Sequence, residues 1–218
     1  MYISEKTSTT STAELIANAL RVDILQGKLQ SKQPLRQDDI AAKFGVSKIP
    51  VREALFQLKA EGLVTFSQNR GAAVSELSPA EVDEIYTMRV ALETVALQRA
   101  IPHLTIAKLT RADELLNAID QEQNVARWGE LNWEFHATLY APANLPRLME
   151  WIHTLHVNVA RYLVIYLSGM DYQAVSQQEH RAILTTCRHG KIEAATEQLR
   201  QHLLSASSQL VAFLKERE

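Results

Sequence analysis

The spacing of apolar residues predicts helices along most of the chain. Near the start, apolar residues recur at helical spacing until Gly27 interrupts the pattern. Two shorter helical segments follow, from about Gln37 to Phe44 and from Lys48 to about Glu61. Gly45 lies between them and supplies the backbone freedom that a sharp turn requires. This part of the chain therefore predicts three helices, the last two joined by a tight turn.

The pattern changes after Gly62. Residues 63–66 predict a short strand, residues 67–71 a turn, and residues 72–76 a returning strand. Two short helices joined by a glycine-containing turn and followed by a hairpin form the layout of a winged helix-turn-helix.

From Ser78 onward the spacing is helical throughout. Ser78, Pro79 and Glu81 give an N-cap, a first-turn proline and an acidic third position, which together favour a helix start. Six helices are predicted, at about 79–100, 105–122, 124–141, 145–168, 171–189 and 191–216. Short connections between them are typical of an antiparallel bundle. The fold class predicted is therefore mainly α, with a flexible tail at 1–12, a winged helix-turn-helix at 13–77 and a six-helix bundle at 78–218.

Composition narrows the class of protein. The chain is 46% hydrophobic and 22% charged, which is ordinary for a globular protein. We find no apolar run long enough to cross a membrane and no signal peptide at the N-terminus. The single cysteine, Cys187, cannot form an internal disulfide and is interpreted as a packing residue. These features predict a cytoplasmic protein without a membrane partner.

Charge is distributed unevenly between the two parts. Residues 1–77 carry ten Lys or Arg and eight Asp or Glu, whereas residues 78–218 carry 13 and 17. Lys48 and Arg52 share one face near the N-terminal end of the second short helix, and Arg70 and Gly71 lie at the hairpin tip. That end of a recognition helix reads bases, and its free N–H groups favour phosphate. The alternative is that these cations belong to an ordinary solvated helix face.

A family resemblance favours the first interpretation. The segment PLRQDDIAAKFGVSKIPVREALFQLKAEGLVTFSQNRGAAV closely resembles the DNA-binding domain of the GntR family. The resemblance implies that a set of residues lies on or beside DNA, and we include Arg36 in it: Arg36, Ser47, Lys48, Pro50, Arg52, Arg70 and Gly71. Lys48 departs from the usual arginine, so bidentate base readout at that position is lost or becomes a point-charge contact.

Three histidines in the helical part are candidates for a metal site. His136, His180 and His202 fall on three different predicted helices, each bordering an apolar stripe. Asn132 precedes His136 by one turn on the same helix face. Imidazole nitrogens with an amide or carboxylate oxygen suit Zn²⁺, Ni²⁺ or Mn²⁺. From the residues alone, a single histidine in such a setting is more often a hydrogen-bonded core residue.

A second resemblance bears on that choice. The segments YTMRVALETVAL, LYAPANLPRLMEWI and EHRAILTTCRHGKIEAATEQLRQHL resemble the FCD effector domain of the FadR subfamily, in its shorter, VanR-like branch. In that family an Asp and three His commonly hold a metal, which implies Asn132, His136, His180 and His202 as ligands. Asn132 departs from the usual Asp and brings no negative charge. We therefore expect weaker metal retention and a stronger requirement for an anionic effector.

The resemblance also implies a small carboxylate effector, for which Arg89 and Arg161 are candidate partners. The predicted function is a ligand-responsive transcription regulator, a repressor rather than an enzyme, that binds a pseudo-palindromic DNA operator as a homodimer. The alternatives are a helical-bundle metalloenzyme with a vestigial DNA-binding domain, and an interaction module that does not contact DNA. A hydrolase needs a general base. Glu134 and Glu179 are the only acids near the candidate ligands, and we expect both to point away.

Overall fold

The computed structural model describes residues 11–67, 71–167 and 172–216, without the side chains of residues 125, 126, 161, 163–167 and 172. The chain divides into two compact units, Met1–Glu76 and Leu77–Glu218. Arg70 lies outside the described residues, and so does the side chain of Arg161. The predicted tail at 1–12 lies mostly outside them as well.

The first unit is a small helical domain with a three-stranded sheet. Its elements are α1 (Thr12–Leu25), β1 (Pro34–Leu35), α2 (Gln37–Phe44), α3 (Lys48–Ala60), β2 (Val64–Ser67) and β3 (Gly71–Val74). The sheet order is β1-β3-β2, with both pairs antiparallel. The predicted hairpin is therefore confirmed, while β1 was missed because two residues, one of them proline, give no strand pattern.

Local sequence explains how α2 and α3 are held. Gly45 ends α2 in the left-handed conformation, with φ of 66°, which glycine adopts without a side-chain clash. Val51, Leu55 and Leu58 then lie on the inner face of α3 and are completely buried. The ion pair between Arg21 of α1 and Glu61 fixes the other end of α3, with Nη2 and Oε1 2.5 Å apart. The N-terminal end of α3 is left on the surface.

The second unit contains the six predicted helices, as α4 (Pro79–Ala100), α5 (Ile106–Gln121), α6 (Val125–Tyr140), α7 (Pro146–Leu167), α8 (Tyr172–Arg188) and α9 (Ile192–Lys215). Ser78 and Glu81 form the predicted capping box at the start of α4. Ile106, Pro146 and Ile192 begin their helices close to the expected positions. The mainly α fold class, a winged helix-turn-helix followed by a six-helix domain, is confirmed.

One apolar core runs through the second unit, with side chains from all six helices. Cys187 packs in this core, where burial raises the pKa of its thiol to about 12. Polar residues interrupt the core at its centre, and those from α4, α6, α7, α8 and α9 include Arg89, Glu93, Asn132, His136, His156, Gln177, His180 and His202. Within the described part of the chain, none of the helices has the length and apolar character of a membrane span.

Candidate functional sites: a DNA-reading surface and a buried histidine cluster

The N-terminal end of α3 presents the residues expected to contact DNA. Ser47 is the exposed N-cap of α3, and it makes no side-chain capping hydrogen bond. Lys48 and Arg52 are exposed, whereas Pro50 is half-buried in the first turn. We call the surface formed by Ser47, Lys48, Ile49 and Arg52 the DNA-reading surface. Free N–H groups at such a helix end favour an anion.

Two further residues of the predicted set are described. Arg36 is exposed at the N-cap of α2. Gly71 is exposed at the start of β3 with φ of +74°, so a side chain there would be strained. Arg70, just before it, lies outside the described residues. These placements leave the DNA contacts as predictions.

Lys48 is already paired on the surface of the free protein. Its Nζ lies 2.6 Å from Oδ1 of Asp38 in α2, and the two side chains are 62% and 75% exposed. An exposed pair of this kind contributes about 1 kcal/mol or less, so phosphate can displace Asp38. Lys48 is therefore available to a phosphate as a point charge, although in the free protein it is paired with the carboxylate of Asp38.

A stack of aromatic rings and cations connects α3 to the sheet. The guanidinium carbon of Arg52 lies 5.5 Å from the ring centroid of Phe56. Phe56 stacks on Phe66 of β2 with centroids 5.0 Å apart, and Nζ of Lys59 lies 5.8 Å from the Phe66 ring. Such contacts favour one orientation of the guanidinium. Phe56 was not predicted from the sequence, although its four-residue spacing from Arg52 was a usable signal.

In the second unit, α6, α8 and α9 bring His136, His180 and His202 together. We call these three residues the histidine cluster. All three are buried, and one ring nitrogen from each lies within 4.8 Å of the others. The Nε2 atoms of His180 and His202 are 3.2 Å apart. The predicted convergence of three imidazoles from three helices is thus present in the fold.

The other ring nitrogen of each histidine has a hydrogen-bond partner. Nδ1 of His202 lies 2.7 Å from Oε2 of Glu179. Nδ1 of His180 lies 3.1 Å from Oε1 of Gln177, whose Nε2 donates to Leu116 and Asp120. Because Glu179 and Gln177 present oxygen acceptors, each imidazole donates its proton from Nδ1.

His136 also carries its proton on Nδ1, in this case because of two successive hydrogen bonds. Its Nδ1 lies 3.1 Å from the hydroxyl of Tyr140, and that hydroxyl donates to Oε2 of Glu93 at 2.8 Å. With its only proton given to Glu93, the Tyr140 oxygen accepts from Nδ1 of His136. In its neutral form each histidine therefore keeps an unprotonated Nε2, which is free to act as a ligand.

When His180 and His202 are both neutral, their Nε2 lone pairs face each other at 3.2 Å and repel unless a proton or a metal cation lies between them. Ligands bound at about 2.1 Å to one metal ion in tetrahedral or octahedral geometry lie about 3.0–3.4 Å apart. The separation of the His180 and His202 nitrogens falls in this range. The histidine cluster thus has the donor atoms, the spacing and the outer hydrogen bonds of a metal site.

Protonation of His136 or His180 does not supply that cation near neutral pH. Burial lowers the pKa of His136 well below its ordinary value of 6.5, and the nearby charges of His180 and His202 lower it further. Burial and the charge of His202 lower the pKa of His180 in the same direction. Neutral imidazoles are the form that binds metals.

Asn132 supports the same interpretation from α6. It is 7% exposed, and its buried Oδ1 has no hydrogen-bond partner among the described residues. Leaving such an acceptor unpaired costs about 1–3 kcal/mol. Because Asn132 lies one turn before His136, its carbonyl oxygen is placed on the same helix face as the cluster. The orphaned oxygen fits a fourth ligand.

Arg89 is buried in α4 and already has an internal carboxylate. Its Nε donates to Oε1 of Glu93 at 2.7 Å, with the two side chains 5% and 1% exposed. Burial disfavours the charged guanidinium, but the Glu93 carboxylate outweighs this, and the pKa of Arg89 is raised above its usual range. Glu93 was missed in the sequence because an acidic residue one turn after an arginine is common on any helix.

The expectation that Glu134 and Glu179 both point away is wrong for Glu179. Glu179 directs its carboxylate to His202, because the residue before a ligand on α8 can still face the neighbouring helix α9. Glu134 is on the surface, where it pairs with Arg111 and Arg127. Glu179 is engaged as a hydrogen-bond acceptor, which is an outer-shell role and not that of a free base.

Two more buried polar atoms near Arg89 have no hydrogen-bond partner in the part of the chain that the structure describes. They are the hydroxyl of Tyr86 and Nδ1 of His156. The Arg89 guanidinium lies 4.7 Å from the Tyr86 ring centroid, and the His156 ring lies 5.0 Å from that of Trp133. Burial and the charge of Arg89 hold the pKa of His156 well below 6.5. These atoms suit a polar ligand, and no sequence pattern indicated them.

Two family models match the chain and divide it as the fold does. The model of bacterial regulatory proteins of the gntR family matches residues 12–74. The FCD domain model matches residues 84–205, which is more than half of the chain.

Whole-length relatives agree with these matches. An uncharacterized HTH-type transcriptional regulator of Bacillus subtilis, YdhC, is 27% identical, with 91% of each chain covered. The transcriptional repressor GlaR of Escherichia coli is 26% identical over 85% of this chain and 90% of its own. A GntR family regulator from Pseudomonas syringae is 33% identical with a TM-score of 0.61, covering 94% of this chain and 86% of that one.

A regulator from Rhodococcus shares the fold, with a TM-score of 0.81 at 22% identity over 93% of this chain and 99% of that one. The metalloenzyme and the interaction module without DNA contact find no support, because the relatives named above are transcription regulators. The chain belongs to the GntR family of bacterial transcription regulators, in the group that carries an FCD domain.

Proposed function

We propose that this regulator is a repressor that binds a pseudo-palindromic operator as a homodimer and responds to a small carboxylate. The convergence of three buried histidine side chains inside the second unit carries this proposal, because it builds a place for a ligand in a DNA-binding chain. The repressor names of relatives such as GlaR support the direction of regulation. Because the proposed partner is DNA, we expect the regulator to be in the cytoplasm.

At the DNA, the side chains of α3 have separate tasks. Arg52 reads a base edge, because its planar fork matches the two acceptors of guanine. Phosphate is bound by Lys48, by Ser47 and by the free backbone N–H groups in the first turn of α3. Lys48 gives up its ion pair with Asp38 when it binds the phosphate. Arg36, Arg70 and Gly71 add further contacts along the sugar–phosphate backbone of the DNA. A two-fold protein then reads a two-fold site.

In the second unit, His136, His180, His202 and the Asn132 oxygen hold a divalent ion, of which Zn²⁺, Ni²⁺ and Mn²⁺ match the donor set. When bound, the ion supplies a Lewis-acidic position for a carboxylate oxygen. Glu179, Gln177 and the Tyr140–Glu93 pair keep each imidazole in the ligating tautomer and fix its orientation.

The effector binds beside this centre. Arg89 pairs with one of its oxygens while Glu93 keeps the guanidinium in place, and Arg161 is a second candidate cation. The Tyr86 hydroxyl and the His156 nitrogen lose their unpaired state when a polar ligand reaches them, which favours binding. The effector changes DNA affinity because it binds two conformations of the dimer unequally.

Two measurements with the full chain test the proposal. DNA duplexes selected from a random library should bind with a steep salt dependence, each phosphate contact adding about −0.9 to the slope of log K against log salt. A thermal-shift screen of small carboxylates, with and without Zn²⁺, Ni²⁺ or Mn²⁺, should raise the melting temperature for a metal and carboxylate together. If no duplex binds, the proposed DNA binding is contradicted. If protein stripped by a chelator shows no response to added metal, the proposed metal site is contradicted.

A further inference from the structure

Ile49 is an aliphatic side chain on a surface built of charges. It is the second residue of α3 and is 70% exposed. The other β-branched aliphatic residue of this helix, Val51, is completely buried, as are Leu55 and Leu58. Ile49 therefore adds nothing to the core of the first unit, and its hydration is unfavourable in the free protein.

The neighbours of Ile49 place it at the end of α3 that faces DNA. Lys48 precedes it, and Arg52 follows at a spacing of three residues, which makes Ile49 and Arg52 neighbours on the helix surface. The ammonium of Lys48 is held by Asp38 at 2.6 Å, and the guanidinium of Arg52 lies over Phe56. Ile49 is thus the aliphatic member of the exposed group formed by Ser47, Lys48, Ile49 and Arg52.

The chemistry of the major groove limits what Ile49 can recognise. The side chain of isoleucine has no donor or acceptor, so it cannot read the polar edges of the bases or bind a phosphate. The C5-methyl of thymine is the apolar group that the major groove displays, and aliphatic contacts with it distinguish thymine from cytosine. A contact of this kind would bury the methyl and the exposed isoleucine together.

We infer that Ile49 reads the C5-methyl group of one thymine in each operator half-site, beside the base read by Arg52. This inference rests on the proposed function, since it needs α3 to lie in the major groove. It makes Ile49 a specificity-determining residue and predicts an A·T pair at a fixed distance from the guanine that Arg52 contacts. Lys48 contributes affinity there without contributing base preference.

The experiment begins with the full chain and a duplex selected from a random library, with binding measured by fluorescence anisotropy. Each thymine is replaced singly by deoxyuridine, which removes only the methyl group. We expect one replacement per half-site to weaken binding about four-fold, the value for losing the burial of one methyl group. Other thymines should tolerate the replacement.

The same series is then measured with Ile49→Ala. In this variant, deoxyuridine at the sensitive position should have no further effect, because the partner of the methyl is gone. Val22→Ala is the matched control, since Val22 is a 47% exposed aliphatic residue of α1 in the same unit. The control should keep the sensitivity of the wild-type protein.

Three outcomes are decisive. Sensitivity that disappears with Ile49→Ala and persists with Val22→Ala supports the inference. Tight, salt-dependent binding in which no thymine is sensitive, or sensitivity that survives Ile49→Ala, overturns the inference and leaves the proposed function standing. Failure to enrich any duplex overturns the proposed function and the inference with it.

Discussion

The two units arrange their polar functional groups in opposite ways. In the first unit the candidate contacts are on the surface, where Lys48 is 62% exposed and its partner Asp38 is 75% exposed. In the second unit the candidate ligands are inside, where His180 is completely buried and His136 is 2% exposed. In the first unit the candidate cations are exposed to water, whereas in the second each imidazole of the histidine cluster is hydrogen-bonded to a neighbouring side chain.

This difference separates two physical costs. An exposed cation costs almost nothing to keep, and its interaction with phosphate weakens as salt screens it. A buried imidazole or amide has lost its water, so each unpaired lone pair lowers stability until a ligand satisfies it. Function in the first unit should therefore follow ionic strength. Function in the second unit should appear as a change in the free energy of unfolding.

The largest expected effect is the loss of the metal response with His180→Ala. Wild-type protein at a metal concentration 100 times the Kd should gain about 2.7 kcal/mol in the free energy of unfolding, and the variant should gain nothing. Denaturant titrations with and without Zn²⁺ or Ni²⁺ measure this. His189→Ala, an exposed histidine just after α8, should respond as wild type does. A full response in His180→Ala would remove the metal site from the cluster.

Arg52→Ala should give the next largest effect, this time on DNA. Loss of a bidentate base contact worth about 1–3 kcal/mol weakens binding to a selected duplex about 5- to 150-fold. Melting of the free protein should stay unchanged because Arg52 is exposed. Arg200→Ala, another exposed arginine but in the second unit, serves as the control. Wild-type affinity in Arg52→Ala would contradict the assignment of base reading to α3.

Asn132→Asp tests the difference between the two units, because it replaces an uncharged amide among the candidate ligands of the second unit with a charged carboxylate. Metal affinity should rise at least about ten-fold through the added attraction. The metal-free variant should be less stable than wild type, because its carboxylate is buried without a partner. Metal titration and thermal unfolding in chelator measure the two effects. Asn117→Asp, at an exposed position of α5, should change neither.

Acid should destabilise the metal-free protein through the same buried groups. The folded-state pKa values of His136 and His180 lie well below 6.5, whereas unfolded histidine titrates near 6.5. Below about pH 6.5 only the unfolded chain takes up these protons, so stability is lost as pH falls. The loss approaches about 1.4 kcal/mol per pH unit for each histidine, and above about pH 7 the contribution is constant.

Urea unfolding in chelator between pH 5 and 8 measures this slope. His156→Phe should reduce it, because the pKa of His156 is also held well below 6.5. His103→Phe should not, since His103 is exposed. A flat profile would show that the cluster is hydrated rather than dry.

The smallest expected effect concerns the orientation of Arg52. Phe56→Leu keeps an apolar side chain but removes the ring beneath the guanidinium, a contact worth about 0.5–1 kcal/mol. DNA binding should weaken about two- to five-fold, as anisotropy can measure. Phe44→Leu, which removes the ring near Lys43 on α2, is the matched control. Equal losses in both variants would mean that the stack serves only the fold.

The helices could be predicted because their ends are encoded locally. Ser78, Glu81 and Gly45 act within one turn of themselves, so the sequence contains the whole signal. The partners of the histidine cluster could not be predicted, because they are brought together by the packing of separate helices. Glu93 is 47 residues from Tyr140, and Glu179 is 23 residues from His202. The residue pattern and the resemblance to a known family indicated the histidines but not the residues that orient them.

The uncharged Asn132 has a consequence for how the second unit would respond in the cell. With no anionic ligand in its first shell, a divalent ion keeps its full double charge until a carboxylate joins it. Each would then increase the affinity for the other by the same factor, as thermodynamic reciprocity requires. We expect the regulator to respond to metal and carboxylate as a coincidence detector, with either one alone leaving the operator largely as it was.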